Sequence, residues 1–335
     1  MKRITSKDVA KLAGVSQSTV SRVLNPSSDR EVKEDIKAKV LYAADKLGYK
    51  PNIIARSLVS RKTNIVGVVI ADPIGPFYSK IITLLTSKLQ ERGAQPLFFT
   101  LESGFDIRSI MDKVMQYQLD GVIITSSVAS SEESIKYIRN KMPIVLFNMK
   151  NEGKNVSSVY SDNIEAGELV AKLLVNTGHK RITFVTYHKQ VKTTIDRQNG
   201  FYRQLQENEI TDIKEEKCDY SYEDGYKLGQ KMIFKEEIPD AIFCVSDLIA
   251  MGIIDAIKRE SNLKIPQDVS IVGFDDIPQA SWKAYELTTI HQPINRLVKK
   301  TVDVLFDLLN NPESENVNEK VSPNLVIRKS TKEII

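Results

Sequence analysis

From Asn64 onward, short apolar runs alternate with longer stretches in which apolar positions recur every three or four residues. The short runs lack polar alternation, which is typical of parallel strands buried on both faces. The longer stretches have the period of helices that cover a sheet. The predicted strands are IVGVVI (65–70), PLFF (96–99), GVIIT (121–125), PIVLF (143–147), RITFV (181–185), AIFCV (241–245) and SIVGF (270–274). The predicted helices lie near 77–92, 106–118, 131–141, 164–177, 194–208, 223–234 and 247–260.

This succession of strands and helices predicts an α/β fold built from doubly wound parallel sheets. The body is about 270 residues long, which is enough for two lobes that each bury a core. We place the change of lobe near residues 158–163. The first lobe is then predicted to contain residues 64–161 plus about 291–321, and the second 162–290 plus about 322–335.

The first 50 residues have a helical pattern instead. Thr5 or Ser6 can cap a first helix, and Ser16 can cap a second after a break at Gly14 and Val15. Two helices joined by a short glycine-containing turn form a helix-turn-helix, whose second helix can enter the major groove of DNA. The predicted helices of this head, residues 1–50, are Lys7–Ala13, Gln17–Leu24 and Lys33–Leu47.

Residues 51–63, PNIIARSLVSRKT, connect the head to the body. A helix of about eight residues capped by Asn52 fits this stretch, but so short a helix is marginal alone in water. We therefore predict a hinge that becomes ordered when another molecule holds it.

Charge is unevenly distributed between head and body. Residues 1–62 contain 14 Lys and Arg against 6 Asp and Glu, whereas the rest contain 33 and 37. A basic head on a mildly acidic body indicates that the head binds a polyanion. The alternative is a solvated basic tail, which the apolar helical pattern of the head disfavours.

Several classes of protein are excluded. No apolar run approaches the roughly 18 residues of a membrane span, and the basic N-terminus lacks the apolar segment of a secretory signal. Cys218 and Cys244 form no CxxC pair and fit a reducing compartment. We therefore predict a cytoplasmic protein without membrane contact.

Motifs for catalysis are also absent from the sequence. It contains no Walker A, GxSxG or HExxH motif, and no GxGxxG follows the first strand. His179, His188 and His291 lie too far apart in sequence for a local metal signature. We predict no enzymatic activity, no metal and no cofactor.

The second predicted helix carries the strongest functional signal, in GVSQSTVSRVLN (14–25). Opposite its apolar face it presents four polar side chains, Gln17, Ser18, Ser21 and Arg22. Gln17 can pair with an adenine edge, Arg22 with a guanine edge, and Ser18 with either. A solvated polar face is the alternative, but the basic head and the hinge favour DNA recognition. The hydroxyl groups suited to reaching phosphates belong to Ser16, Thr19 and Ser21.

An ordered set of short motifs resembles a known family. DVAKLAGVSQSTVSRVLN, LGYKPNIIARSL and IVGVVIADPIGPFY are followed by SDNIEAG, GHKRI, SDLIAMGIIDAI, DVSIVGFDDIP, ELTTIHQP and LVIRKST. Nearly end to end, the chain resembles the lactose/galactose-repressor (LacI/GalR) family of bacterial transcription regulators. It departs from the family at a loop after Asn25 that is two residues longer and contains Asp29 and Glu31. Lys33 stands where the family commonly has a Ser that caps the third helix.

The resemblance implies a homodimer with two helix-turn-helix heads, a hinge helix in the minor groove, and a two-lobed, periplasmic-binding-protein-like body. Leu58 matches the leucine that the family inserts between base steps, where an apolar wedge can bend the duplex; alternatively it packs hinge against hinge. The chain has no apolar heptad tail, so we expect dimers rather than coiled-coil tetramers. The predicted DNA-contacting residues are Thr5, Ser16, Gln17, Ser18, Thr19, Ser21, Arg22, Asn25, Asn52, Ala55, Arg56 and Leu58.

The resemblance also implies an effector cleft between the lobes. Most of its residues fall at predicted strand ends or helix starts, where open α/β sheets bind ligands. Aromatic rings together with Asp, Asn and Arg favour a carbohydrate effector. Phe77 and Tyr220 can alternatively be plain core, and Arg197 can merely cover a carboxylate. The predicted effector-binding residues are Phe77, Tyr78, Asn148, Thr193, Arg197, Tyr220, Asp247, Asp275 and Trp282.

The sequence thus predicts a DNA-binding transcription repressor controlled by a small ligand, with a sugar favoured. One alternative is control by a protein corepressor that docks on a helix over Asn295–Leu309, whose apolar spacing equally suits ordinary packing or a dimer seam. Another is a sugar-binding protein for uptake or sensing, which would need a signal peptide and no helix-turn-helix.

Overall fold

The computed structural model describes residues 4–24, 32–50, 62–71, 75–101, 107–125, 142–151, 156–188 and 191–333. The chain divides into two compact units, Met1–Thr63, which includes the head and the connecting segment, and the body Asn64–Ile335. The predicted hinge helix and the predicted helix near 131–141 lie outside the described residues. So do five of the predicted DNA contacts: Asn25, Asn52, Ala55, Arg56 and Leu58.

The head contains the three predicted helices, each within one residue of the predicted bounds. Its core is formed by one fully buried valine from each helix, Val9, Val20 and Val40. Gly14 ends the first helix in the left-handed region at φ 67°, a conformation that glycine adopts without steric cost. The helices are α1 (Ser6–Ala13), α2 (Gln17–Val23) and α3 (Glu34–Lys46).

The body contains two six-stranded sheets, with the strand orders β11-β5-β4-β3-β1-β2 and β12-β10-β9-β8-β6-β7. Within the described residues, neighbouring strands are parallel except β10 with β12. These orders are those of doubly wound sheets, which confirms the predicted fold class. The strands are β1 (Ile65–Ala71), β2 (Gln95–Leu101), β3 (Gly121–Ile124), β4 (Ile144–Phe147), β5 (Ser157–Ser161), β6 (Ile182–Tyr187), β7 (Ile213–Cys218), β8 (Ala241–Cys244), β9 (Ser270–Asp275), β10 (Thr288–His291), β11 (Asn318–Val321) and β12 (Asn324–Val326).

Helices cover both sheets, and the described ones include none that is long and apolar enough to cross a lipid bilayer. They are α4 (Pro76–Glu91), α5 (Ile107–Gln116), α6 (Asn163–Asn176), α7 (Lys192–Glu207), α8 (Tyr222–Phe234), α9 (Asp247–Glu260) and α10 (Ile294–Asn310). The apolar side of α10, including Leu297, Val298 and Leu305, is buried in the core of the first sheet. Ordinary packing therefore explains the apolar spacing of this helix.

The sheet that begins with β1 belongs to the first lobe, and the sheet that begins with β6 belongs to the second. Three chain segments connect the two lobes. The first lies between β5 and α6 at Asp162, the second at Gln292 between β10 and α10, and the third between β11 and β12. The two lobes are thus interleaved in sequence, and residues close to the three crossovers lie near both.

Five strands had no counterpart among the predicted apolar runs: β5, β7, β10, β11 and β12. Serine-rich β5 is buried between β11 and β4, where the hydroxyl groups of Ser157 and Ser158 bond to Asn316 and Asn318. In contrast β7, IKEEKC, lies at the edge of its sheet, where charged side chains remain in water and discourage pairing with another chain.

Helices α6 and α7 approach each other backbone to backbone. A Cβ atom at Gly167 would lie 2.1 Å from the carbonyl oxygen of Arg197, and one at Gly200 would lie 2.0 Å from that of Ile164. Only glycine fits at both positions. This contact holds α6 against α7 at Ile164 and Arg197, and so positions the neighbouring side chains of Asn163 and Arg197.

Gly200→Ala is therefore expected to destabilise the body by at least about 2 kcal/mol, because backbone atoms cannot yield as a flexible side chain can. Urea unfolding followed by circular dichroism measures the change. Asn199→Ala, at the exposed neighbouring position, is the control and should change stability by less than about 0.5 kcal/mol. Equal effects of the two substitutions would contradict the close contact.

Candidate functional site

The polar face predicted for α2 is exposed in the structure. Gln17, Ser18, Ser21 and Arg22 are all accessible to solvent, while Val20 on the opposite side is buried. The amide nitrogen of Gln17 donates a hydrogen bond of 2.9 Å to the hydroxyl oxygen of Ser6 at the start of α1. This bond gives the Gln17 side chain a defined orientation.

Hydroxyl groups organise the starts of the first two helices. Ser16 Oγ accepts a hydrogen bond of 3.1 Å from the backbone N–H of Thr19 and lies 2.7 Å from Ser18 Oγ. At α1, the backbone N–H of Thr5 donates to the Asp8 carboxylate at 2.8 Å. Ser16 thus caps α2 with its side chain, whereas at α1 the Asp8 carboxylate bonds back to the N-cap residue Thr5. At α3 the departure from the family matters, because Lys33 occupies the cap position without a side-chain hydrogen bond.

Arg197 organises the side chains at the carboxyl ends of the strands in the second sheet. This residue is 4% exposed, and its Nε donates to Asn163 Oδ1 at 2.8 Å. Its Nη1 and the hydroxyl of Tyr220 both donate to the carbonyl oxygen of Val245, each at 2.9 Å. The guanidinium carbon lies 3.4 Å from the centroid of the Phe274 ring. Among the described residues no carboxylate forms an ion pair with Arg197, although its charge acts on the carboxyl group of Asp275.

A chain of hydrogen bonds connects the two lobes through Gln292. The amide nitrogen of Gln292 donates to Asp275 Oδ1 at 2.7 Å, at the end of β9 in the second lobe. Its amide oxygen accepts from Asn148 Nδ2 at 3.0 Å, directly after β4 in the first lobe. Asn148 in turn accepts from the backbone N–H of Ser161 at 3.2 Å. The side chains of Asp275 and Asn148 are therefore linked by one buried amide.

Burial raises the pKa of Asp275 to about 7, although the charge of Arg197 and the bond from Gln292 both oppose this change. The backbone is also strained here, since Asn148, Asp275 and Asp276 have φ values of 55°, 113° and 53°. Such conformations cost free energy and concentrate at functional sites. A buried carboxyl group and a strained backbone thus coincide at the residues that connect the lobes.

Asp247 differs from Asp275, because both of its oxygens have partners. Oδ1 accepts from the hydroxyl of Thr289 at 2.6 Å, and Oδ2 accepts from the backbone N–H of Ile277 at 2.9 Å. Burial raises the pKa of Asp247 well above its ordinary value, and the neighbouring charge of Asp275 adds to this. In this arrangement Asp247 holds β10 and the segment after β9 in place.

The predicted aromatic residues are placed unequally. Phe77 packs against the cores of both lobes, and its ring meets that of Tyr78 edge to face at 5.6 Å. Tyr220 is half-buried at Arg197. Trp282, in contrast, is 55% exposed, and no contact among the described residues places it with Arg197 or Asp275. Thr193 lines a separate pocket beside α6 and α7.

The sequence did not identify Gln292 and Asn163 as site residues. Both lie in motifs that carry the family resemblance, HQP and SDNIEAG, at two of the three crossovers. That position was the available signal, because a crossover residue contacts both lobes. The described residues contain no group of three metal-ligating side chains.

The carboxylate of Asp275 is expected to lower stability above neutral pH. Its folded-state pKa of about 7 exceeds the ordinary value of 3.8, so the folded state binds the proton more tightly. The stability from this group is therefore largest at low pH and is lost as pH rises through about 7. Asp275→Asn should raise the free energy of unfolding by about 1–3 kcal/mol at pH 8, and by less at pH 5.

Urea unfolding at both pH values measures this difference. Asp219→Asn, at an exposed carboxyl group, is the control for removing one negative charge from the surface. A variant at Asp275 that is less stable than the parent at pH 8 would show that attraction to Arg197 outweighs burial.

Comparison with known families gives matches for both parts of the chain. Residues 5–52 match the family described as bacterial regulatory proteins, lacI family. Residues 63–328 match the periplasmic binding proteins and sugar binding domain of the LacI family. The first match covers the head and the second covers the body.

Individual proteins are similar over almost the whole chain. The HTH-type transcriptional repressor PurR of Pasteurella multocida (strain Pm70) is 30% identical over 333 residues, covering 98% of each chain. The Lac repressor dimer bound to operator and the anti-inducer ONPF has a TM-score of 0.89 at 27% identity, covering 98% of this chain and 99% of that one. The complex of the transcriptional regulator CelR with cellobiose has a TM-score of 0.70 at 26% identity, covering 98% of this chain and 100% of that one.

The chain and these relatives share a helix-turn-helix domain followed by a body of the LacI sugar-binding type. These similarities confirm the predicted function, that of a DNA-binding transcriptional repressor regulated by a small-molecule ligand. The chain belongs to the LacI family of bacterial regulatory proteins.

Proposed function

We propose that the effector is a carbohydrate that binds between the lobes, where Arg197 and Asp275 make its main polar contacts. The observation that carries this proposal is the chain Asp275–Gln292–Asn148, which connects the crevice of the second lobe to the first. A sugar hydroxyl group both donates and accepts hydrogen bonds. Asp275 supplies an acceptor and Arg197 supplies donors, while Phe77, Tyr78 and Tyr220 supply aromatic surface. The CelR complex with cellobiose supports this ligand class.

Regulation follows from competition for Asp275. A sugar hydroxyl that donates to Asp275 takes the acceptor that Gln292 uses, and so weakens the link to Asn148. A ligand changes the balance between two lobe arrangements only by the difference in its affinity for them. In this proposal that difference arises at Gln292, and residues 51–63 form the hinge that responds to it.

We further propose that the chain acts as a homodimer on operator DNA, as the Lac repressor dimer does. The DNA contacts are then made by the α2 face together with Thr5, Asn25, Asn52, Ala55, Arg56 and Leu58. Because a bacterial gene regulator acts on the chromosome, its site of action is the cytoplasm. The protein binds DNA and a ligand and catalyses no reaction.

A protein corepressor on α10 is the less favoured form of control. Most apolar residues of that helix are buried against the first sheet, and Phe306, Leu308 and Leu309 are only partly exposed. A partner would find little apolar surface to dock on. Control by a protein therefore has no specific support, whereas the crevice has both donors and acceptors for a small ligand.

Gln17→Ala and Arg22→Ala should each weaken binding to the specific operator by about 1–3 kcal/mol, because each removes contacts with one base edge. Binding to random duplex should barely change. Fluorescence anisotropy on both duplexes measures the two affinities. Lys39→Ala, on the exposed side of α3, controls for the loss of a charge. If specific and random DNA lose affinity equally, these side chains contact only phosphates.

Arg197→Ala and Asp275→Ala should each abolish the response to effector while operator binding persists. Either substitution leaves polar groups of the bound sugar unpaired in a buried site, which costs more than an average hydrogen bond contributes. A thermal-shift screen of sugars and sugar phosphates identifies the effector, and operator affinity with and without it gives the response. Asn199→Ala is the matched control on α7. If both variants respond like the parent, the cleft is misassigned and a protein corepressor becomes the better explanation.

A further inference from the structure

A second connection between the lobes starts at Arg197 and joins the one that runs through Gln292. Arg197 Nε donates to Asn163 Oδ1 at 2.8 Å, and Asn163 Nδ2 donates to the carbonyl oxygen of Ser161 at 3.0 Å. The backbone N–H of Ser161 donates to Asn148 Oδ1 at 3.2 Å. Asn148 Nδ2 in turn donates to the amide oxygen of Gln292. The side chain of Asn163 therefore connects Arg197 to the same asparagine that Gln292 contacts.

With the bond from Gln292 to Asp275, five hydrogen bonds run in series from Arg197 to Asp275, and we call this series the hydrogen-bond chain. Each residue between the two ends accepts from the side of Arg197 and donates towards Asp275. A guanidinium group only donates and an ionised carboxylate only accepts, so the two ends impose one direction on every amide between them. Hydrogen bonds that share a direction polarise and strengthen one another.

The middle of the hydrogen-bond chain is shielded from water. Asn163, Ser161 and Gln292 are 6%, 0% and 1% exposed, and Asn148 is half-buried. A buried polar group that loses its partner is left unpaired, which costs more than the bond itself contributes. Opening the hydrogen-bond chain at one bond therefore weakens the bonds on either side of it.

Asn163 holds the first crossover in the way that Gln292 holds the second. Its bond to Ser161 spans the crossover residue Asp162 and fixes the backbone there. The backbone N–H of Asp162 donates to the carbonyl oxygen of Val321 at 3.1 Å, and its carboxylate pairs with Lys320 at 2.9 Å, both at the end of β11 in the first lobe. The same carboxylate caps α6 in the second lobe. The position of Asn163 is therefore tied to both lobes.

The two ends of the hydrogen-bond chain also interact through space. The charge of Arg197 lowers the pKa of Asp275 against the larger effect of burial. A change at one end is thus felt at the other by two routes, through the shared amides and through the electric field. Both ends are the side chains to which the carbohydrate contacts are assigned above.

We propose that Asn163 is a positioning residue for regulation, which completes one hydrogen-bond chain through which Arg197 and Asp275 act together on the lobe arrangement. A ligand that takes the acceptor of Asp275 or a donor of Arg197 disturbs the bond at that end, and the disturbance reaches the other end through the amides. Because the hydrogen-bond chain passes two crossovers, opening it releases contacts between the lobes. This inference rests on the proposed function for the identity of the effector contacts.

A double-mutant cycle of Asn163→Ala and Gln292→Ala tests the hydrogen-bond chain without ligand. Urea unfolding of the body is followed by the fluorescence of Trp282, the only tryptophan of the sequence. The second substitution acts on a series that the first has already opened, so it should have less effect than in the parent. The double variant should exceed the stability expected from the two single effects by at least about tenfold in the equilibrium constant for unfolding, which is about 1.4 kcal/mol.

The control cycle combines Asn163→Ala with Thr177→Ala. Thr177 is buried at the other end of α6, where its hydroxyl donates to the carbonyl oxygen of Leu173 at 2.7 Å. It lies about 20 Å from Asn163 at the helical rise of about 1.5 Å per residue. Distant sites without shared partners are additive, so these two effects should combine to within about twofold in the same equilibrium constant.

Asn163→Asp separates the two bonds of the Asn163 side chain. It keeps an oxygen that accepts from Arg197 Nε, but a carboxylate cannot donate to the carbonyl oxygen of Ser161. Gln292→Ala should therefore have as small an effect beside Asn163→Asp as it has beside Asn163→Ala. If Gln292→Ala instead has its full parental effect beside Asn163→Asp, Asn163 only holds Arg197 and the proposal is overturned.

Native-state hydrogen exchange, measured by mass spectrometry, gives a local reading of the same coupling. Gln292→Ala should speed exchange of the Ser161 amide by at least about tenfold, although Gln292 bonds to Asn148 rather than to Ser161. The amides of β8 in the second lobe are the control. A body that is merely less stable would exchange faster in both segments alike.

The hydrogen-bond chain and the carbohydrate cleft fail in different ways. Additive effects of Asn163→Ala and Gln292→Ala, or unchanged exchange at Ser161, would overturn the hydrogen-bond chain and leave the cleft intact, because neither measurement uses a ligand. Coupled effects in a protein that responds to no sugar in the thermal-shift screen would overturn the carbohydrate cleft and leave the hydrogen-bond chain.

Discussion

The buried amide of Gln292 is the interaction on which the arrangement of the body depends. It donates to Asp275 in the second lobe and accepts from Asn148 in the first, and it is 1% exposed. A buried amide that satisfies two polar partners fixes their separation, because losing either bond leaves a group unpaired. Asp275, Gln292 and Asn148 therefore form a direct link between the two lobes. Any ligand that competes for Asp275 acts directly on this link.

Much of the fold could be predicted because the apolar runs that form the central strands are unambiguous. The strands that escaped prediction are stabilised by other means. Ser157 and Ser158 in β5 are buried by pairing with asparagine side chains, and β7 stays soluble as a charged edge. Neither pattern differs from that of a polar loop when considered along the sequence alone. Tertiary context decides such strands.

The site was predictable in its residue types but not in its connections. Arg197 and Asp275 were identified from a resemblance, yet their partners Asn163 and Gln292 depend on which crossovers lie together. Trp282 is largely exposed, and its role in effector binding stays a prediction. In the head, a short-range pattern sufficed, because helix caps and the exposed face of α2 are set within a few residues.

The interleaving of the two lobes has a consequence for how the chain is made. The first sheet begins with β1, but its edge strand β11 and its covering helix α10 come from near the end of the chain. The second sheet likewise waits for β12 before its edge is complete. Neither lobe can therefore finish folding on the ribosome while the other is still being synthesised. Only the head, complete within the first residues to emerge, can reach its native core early, so a nascent chain acquires its helix-turn-helix before its regulatory body.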